Sequence, residues 1–146
     1  MRSDVLNSNS NEYGKLYDLK DISQVSAAKT LTLADSGNVY MLESSGGAYS
    51  ITLPTATSGV SGTNYKLIVE EETPTGAITI AAGSAIGSLV MKDPGGNASN
   101  STAGTQVSNL IIGTSAQKGD YINLLFWDGE WLAEAISGID DAITTS

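Results

Sequence analysis

The chain has 146 residues and a mass of 15.0 kDa, which is one domain's worth of polypeptide, since domains typically run roughly 100–150 residues. It contains no Cys and no His, which excludes disulfides, thiolate chemistry, the usual zinc sites and every His-based catalytic triad. Seven Lys+Arg against 16 Asp+Glu give a net charge of −9, the wrong sign for wrapping nucleic acid or lying on an anionic membrane.

Residues 1 to 28 differ in pattern from the rest of the chain. Val5, Leu6, Tyr13, Leu16, Tyr17, Leu19, Ile22 and Val25 are scattered among Asn, Ser, Asp and Lys with neither strict alternation nor a clean helical stripe. The segment lacks the unbroken apolar stretch of a secretory signal, so the expected site of synthesis is the cytoplasm. Its only arginine, Arg2, is also the only one in the chain. Residues 1–28 are therefore expected to form an extended N-terminal arm. Tyr13, Leu16, Tyr17, Leu19 and Ile22 are its candidate partner-binding residues, either as anchors on another protein or as a short helix laid on the body.

Residues 29–137 carry short apolar runs punctuated by Gly, Ser and Thr, the pattern of an all-β domain. Lys29 to Leu33 alternates and meets the turn-forming Ala34-Asp35-Ser36-Gly37, and Val39 to Glu43 reads as the next strand. In Tyr49 to Leu53, Tyr49, Ile51 and Leu53 share one face, and Pro54 ends the run because proline cannot donate to a ladder. Tyr65 to Glu70 turns Tyr65, Leu67 and Val69 inward, Pro74-Thr75-Gly76 turns the chain, and Ile78 and Ile80 share a face. Ile86 to Met91, interrupted by Gly87, is expected to be a separate strand leading into the long loop Asp93 to Thr105. Val107 to Ile112, Tyr121 to Trp127 and Glu130 to Ile136 are the last three, the final pair joined by Asp128-Gly129, a strong hairpin signal. The sum is about nine short strands in a compact sandwich, a jelly-roll-like fold or a small barrel, wired by hairpins and Greek keys, with no solenoid repeat. Residues 138–146 read as a surface-laid C-terminal tail.

Few residues suggest chemistry. Glu70-Glu71-Glu72 reads as a solvated strand end, because consecutive strand side chains alternate and cannot all face one ion. Asp93-Pro94-Gly95-Gly96-Asn97 is an oxygen-rich turn without the spaced acids of a calcium loop. Asp128, Glu130 and Glu134 beside Trp127 and Trp131 could supply a glycosidase carboxylate pair, but the hairpin accounts for them, with the two tryptophans as near neighbours across it. No phosphate-binding glycine motif occurs. Asn97-Ala98-Ser99 and Asn100-Ser101-Thr102 are glycosylation triplets that matter only on a secretory route. No catalytic residue, cofactor or metal is expected.

Ser50-Ile51-Thr52-Leu53-Pro54, a small-residue loop ending in Gly62, and Tyr65-Lys66-Leu67-Ile68-Val69-Glu70 form a pattern that resembles small structural proteins of tailed bacteriophages. Lys118-Gly119-Asp120-Tyr121-Ile122 and Asp128-Gly129 with Trp131 look like the final hairpin of such proteins. The likeness spans roughly residues 29 to 146. It implies a non-enzymatic capsid decoration (cement) protein on the outer capsid surface of the virion, with the major capsid protein as partner. It also implies a homo-oligomer, a trimer being one form, and no nucleic-acid or membrane partner. The alternative is a receptor- or glycan-binding appendage module of a fibre or tail.

Overall fold

The computed structural model describes residues 21–55, 60–95 and 107–146, with the backbone alone at Ser84 and Ala85. The chain is all-β, as its punctuation and alternation imply, and the strands form one nearly closed, barrel-like sheet of ten strands. These are β1 (Ile22–Val25), β2 (Lys29–Thr30), β3 (Val39–Leu42), β4 (Tyr49–Thr52), β5 (Asn64–Val69), β6 (Ile78–Lys92), β7 (Val107–Ile112), β8 (Tyr121–Trp127), β9 (Glu130–Ile136) and β10 (Ile143–Thr145). Around the sheet the order is β1-β3-β5-β8-β9-β6-β4-β2, and β7 pairs with β6 and carries β10 on its other edge.

The wiring differs from the expected hairpins. β1, β3 and β5 pair in parallel on one side, and β2, β4 and β6 pair in parallel on the other. The first six strands thus wind back and forth between two sides, in the manner of a short coil. Sequence periodicity did not show this winding, because the turns are unequal: Ile22 pairs with Val39, but Val39 pairs with Lys66. The β8–β9 hairpin bridges the two sides, antiparallel to β5 and parallel to β6. Tyr49 Oη–H donates to the carbonyl of Val25 at 2.8 Å and so links the sheet's two ends.

Three expectations about element bounds need correction. The runs around Ile78 and Ile86 are a single strand of 15 residues. Its register shifts between Ala81 and Ile86, where Gly83 takes a φ of 75°, and bulges of this kind bend a strand without ending it. The first half of β6 can then pair with β4 and the second half with β9. The arm does not reach residue 28. Ile22–Val25 is a sheet strand with Val25 in the core, so a deletion that spares the body must stop at residue 20. The tail is not surface-laid either: Ala142 and Ile143 are buried, and Ile143–Thr145 pairs with β7.

The core follows from side-chain alternation. One inward row across the sheet holds Tyr40, Leu67, Ile122, Ala135 and Met91, and another holds Tyr65, Leu124, Ala133 and Leu89. Trp131 heads the largest fully buried side chains among the described residues. It is fully buried, edge-on to Phe126 at 5.2 Å between ring centroids and 5.7 Å from Tyr65, and its Nε1–H reaches the carbonyl of Pro54 at 3.3 Å.

The acidic run Glu70–Glu72 is only partly a solvated end. Glu71 accepts backbone N–H groups from Ser44 and from Ser45, the latter at 2.8 Å, while Glu70 accepts from Gln24 at 2.9 Å. Glu71 therefore caps the turn that starts at the buried Ser44, and Glu72 alone stays fully exposed. Gly76 packs so closely on the Gly47-Ala48 backbone that a Cβ there would overlap main-chain atoms.

Candidate binding face

The alternation that fills the core also decides what β3, β5, β8, β9 and β6 present to solvent. Register places Ile22, Val39, Lys66, Asn123, Glu134 and Val90 in one outward row across six strands. Asn64, Leu125, Leu132 and Ser88 form the row beside it, and Met41, Ile68, Tyr121 and Ile136 a third. This face carries a groove of about 620 Å³ whose lining includes Val39, Lys66, Val90, Asn123, Leu125, Leu132 and Glu134. Most of the side chains named in this lining are apolar.

Several polar groups in the groove are paired. Asn123 Nδ2 donates to Glu134 Oε1 at 3.0 Å, and Lys66 Nζ sits 4.8 Å from the centroid of the Tyr121 ring. Tyr65, beneath the groove, donates its hydroxyl to the carbonyl of Thr32 at 2.6 Å. Burial, with Asp35 nearby, pushes its phenol up to about 12, so Tyr65 is a neutral donor and not a base near neutral pH.

The β8–β9 hairpin ends beside the groove. Asp128 takes a φ of 50° and Gly129 a φ of 87°, the positive angles that a two-residue hairpin turn requires. The register pairs Phe126 with Trp131 and Trp127 with Glu130. The two tryptophans are thus not cross-strand neighbours: Trp131 enters the core and Trp127 is 59% exposed. The turn is held from outside by Asp128 N–H donating to Ser61 Oγ at 3.2 Å and Gly62 N–H donating to the carbonyl of Phe126 at 2.8 Å. Val60, 61% exposed, stands on that same supporting loop.

Glu130 and Glu134 share the outer face of β9, but Glu134 is engaged by Asn123 and Trp131 is withdrawn from any sugar platform. Tyr13, Leu16, Tyr17 and Leu19 lie outside the described residues, as do both glycosylation triplets. Ile22 is described, and it opens β1 with 70% of its surface exposed.

One cluster was hidden from sequence reasoning. Asp93 meets Asp140 and Asp141, with carboxylate oxygens all within 4.8 Å of one another. The long separation of Asp93 from the other two in the chain gave no signal, and Asp141 adopts a φ of 54° in the turn that leads into β10. Exposed acids often gather in this way without an ion. The expectation that stability needs no divalent cation is tested by melting the protein with and without EDTA: the melting temperature should not change, and a substantial drop would assign a cation to these carboxylates.

No helix among the described residues is long and apolar enough to cross a membrane. No protein-family model matches the chain, and no curated protein matches it.

Proposed function

We propose that the protein is a non-enzymatic structural component of a tailed-phage virion that binds the outer capsid surface and stabilises the shell. The observation that carries this reading is Trp127, a large aromatic side chain 59% exposed at the start of a turn braced by Ser61 and Gly62 of one loop. An exposed tryptophan has few rotatable bonds to order on docking and brings a large apolar area, which suits it to interface hot spots. Val60 on the bracing loop extends the same apolar end.

The phage resemblance supplies the partner, the major capsid protein, and the acidic surface suits a position away from packaged DNA. A cement protein works by binding energy alone, since expansion or internal pressure must break its contacts together with those of the shell. The test is sedimentation with purified capsids that lack decoration. Trp127→Ala should weaken binding by at least about tenfold, corresponding to about 1.4 kcal/mol, with an unchanged melting temperature. Undiminished binding would reject the hairpin end as the contact. Binding of the intact protein to host surface glycans but not to capsids would favour the appendage alternative.

A further inference from the structure

We propose that the protein forms a two-fold dimer through this outer face, each copy covering the other's groove. This goes beyond the shell-binding reading, which rests on the hairpin end, and the two can fail separately.

The central outward row reads the same from both ends once its charges are exchanged. From β3 through β5, β8 and β9 to β6 it runs Val39, Lys66, Asn123, Glu134, Val90: apolar, cation, amide, anion, apolar. A two-fold axis lying in the interface and along β8 reverses this order in the facing copy. Val39 then meets Val90 of the second copy, Lys66 meets its Glu134, and Asn123 lies on the axis. Each dimer so contains two symmetry-related ion pairs. A two-fold axis along the row would instead set Lys66 on Lys66 and Glu134 on Glu134, and the cost of facing like charges selects the first axis.

Within one copy β8 keeps Lys66 and Glu134 two strand spacings apart, about 10 Å. Lys66 Nζ lies over the Tyr121 ring and Glu134 accepts from Asn123. An ammonium group has three donors and a carboxylate two oxygens, so each can add a partner across the interface.

The neighbouring rows suit the same axis. Ile68 on β5 meets Ile136 on β9, and Tyr121 and Leu125, both on β8, meet their own copies. Asn64 faces Leu132, with its Nδ2 already donating to the carbonyl of Gly62 at 2.9 Å. Leu125 is 40% exposed and Val90 36%, apolar area that the second copy removes from water. Five strands about 4.8 Å apart and three rows about 6.6 Å apart make a patch of about 500 Å² on each copy, at the small end for specific interfaces, so the dimer should dissociate in roughly the micromolar range. Trp127 stands four residues along β8 from Asn123, about 13 Å away and beyond these three rows.

The test is sedimentation equilibrium of the full chain over a range of concentrations, where the wild-type protein should be a reversible monomer–dimer system. Lys66→Glu and Glu134→Lys should each weaken the dimer at least about tenfold, since each turns both ion pairs into like-charge contacts. An equal mixture of the two single variants should recover the wild-type affinity to within about threefold, because every facing pair is again opposite in sign, and so should the double variant. Trp127→Ala should leave the dimer intact. A second measurement needs no substitution: carbodiimide coupling in an equal mixture of unlabelled and isotope-labelled protein should join Lys66 of one label to Glu134 of the other. A monomer at every concentration, a trimer in place of the dimer, or single variants that dimerise like the wild type would overturn the proposal. So would a mixture of folded single variants that stays monomeric, a Lys66 to Glu134 link confined to one label, or loss of the dimer in Trp127→Ala, which would move the contact to the hairpin end.

Discussion

Trp131→Ala should cost about 3–5 kcal/mol, the usual range for truncating a buried tryptophan. Trp131 has no solvent exposure, stacks its edge and face against Phe126 and Tyr65, and ties β9 to the segment after β4 through its bond to the carbonyl of Pro54. Truncation leaves a cavity that the surrounding strands cannot collapse to fill, because β8, β9 and the second half of β6 are held in register around it. It also leaves the Pro54 carbonyl without its indole partner. Since domains of this kind are stable by roughly 5–15 kcal/mol, the variant should melt roughly 12–20 °C lower, taking about 4 °C per kcal/mol for a chain of this size. Urea unfolding with an unchanged slope is the check. Trp131→Phe, which keeps much of the volume, should lose clearly less. A loss below about 1 kcal/mol for Trp131→Ala would contradict the placement of this residue in the packed core.

A chain ending at Gly138 should be destabilised by about 2–4 kcal/mol and should self-associate. The lost segment contains Ile143 and Ala142, both buried, and burying one Ile side chain contributes about 1.5–3 kcal/mol. It also contains the ladder partner of β7, from the Ile143–Ile112 pair to the Thr145–Leu110 pair, and the carbonyl of Ala142 that accepts Gly113 N–H at 2.8 Å. With β10 gone, the outer edge of β7 presents unpaired N–H and C=O groups flanked by apolar Leu110 and Ile112, a template for edge-to-edge pairing. Calorimetry and light scattering on the shortened protein measure both effects. An unchanged melting temperature would return residues 139–146 to the status of a surface tail.

The failure to foresee β10 has a specific cause. Ile143-Thr144-Thr145 is three residues long and comes shortly after two acids, too short for alternation to be read and preceded by a turn signal that fits a tail equally well. The same holds for Ile22–Val25, whose pattern shows one buried residue after three exposed ones. Both segments become strands because a partner edge with matching register awaits them on β3 and β7. Glu71 shows the same dependence. Nothing in three consecutive glutamates tells which of them will accept the backbone donors of Ser44 and Ser45, since that depends on β3 and β5 lying side by side.

What the residues determined by themselves was local. The alternation of Asn64 to Val69 and of Glu130 to Ile136 set which side chains face inward, because a period of two leaves a half-buried strand one workable orientation. Asp128-Gly129 set the hairpin through its positive φ angles, and the absence of Cys and His set what chemistry the protein lacks. Pairing was decided only in three dimensions. Parallel partners such as Val39 and Lys66 are brought together by a crossover through the opposite side of the sheet, whose length no local pattern specifies. The apolar outer rows belong to the same class. Val39, Leu125, Leu132 and Val90 each occupy an ordinary outward position on a different strand, and they become a groove only because the curved sheet sets those strands side by side.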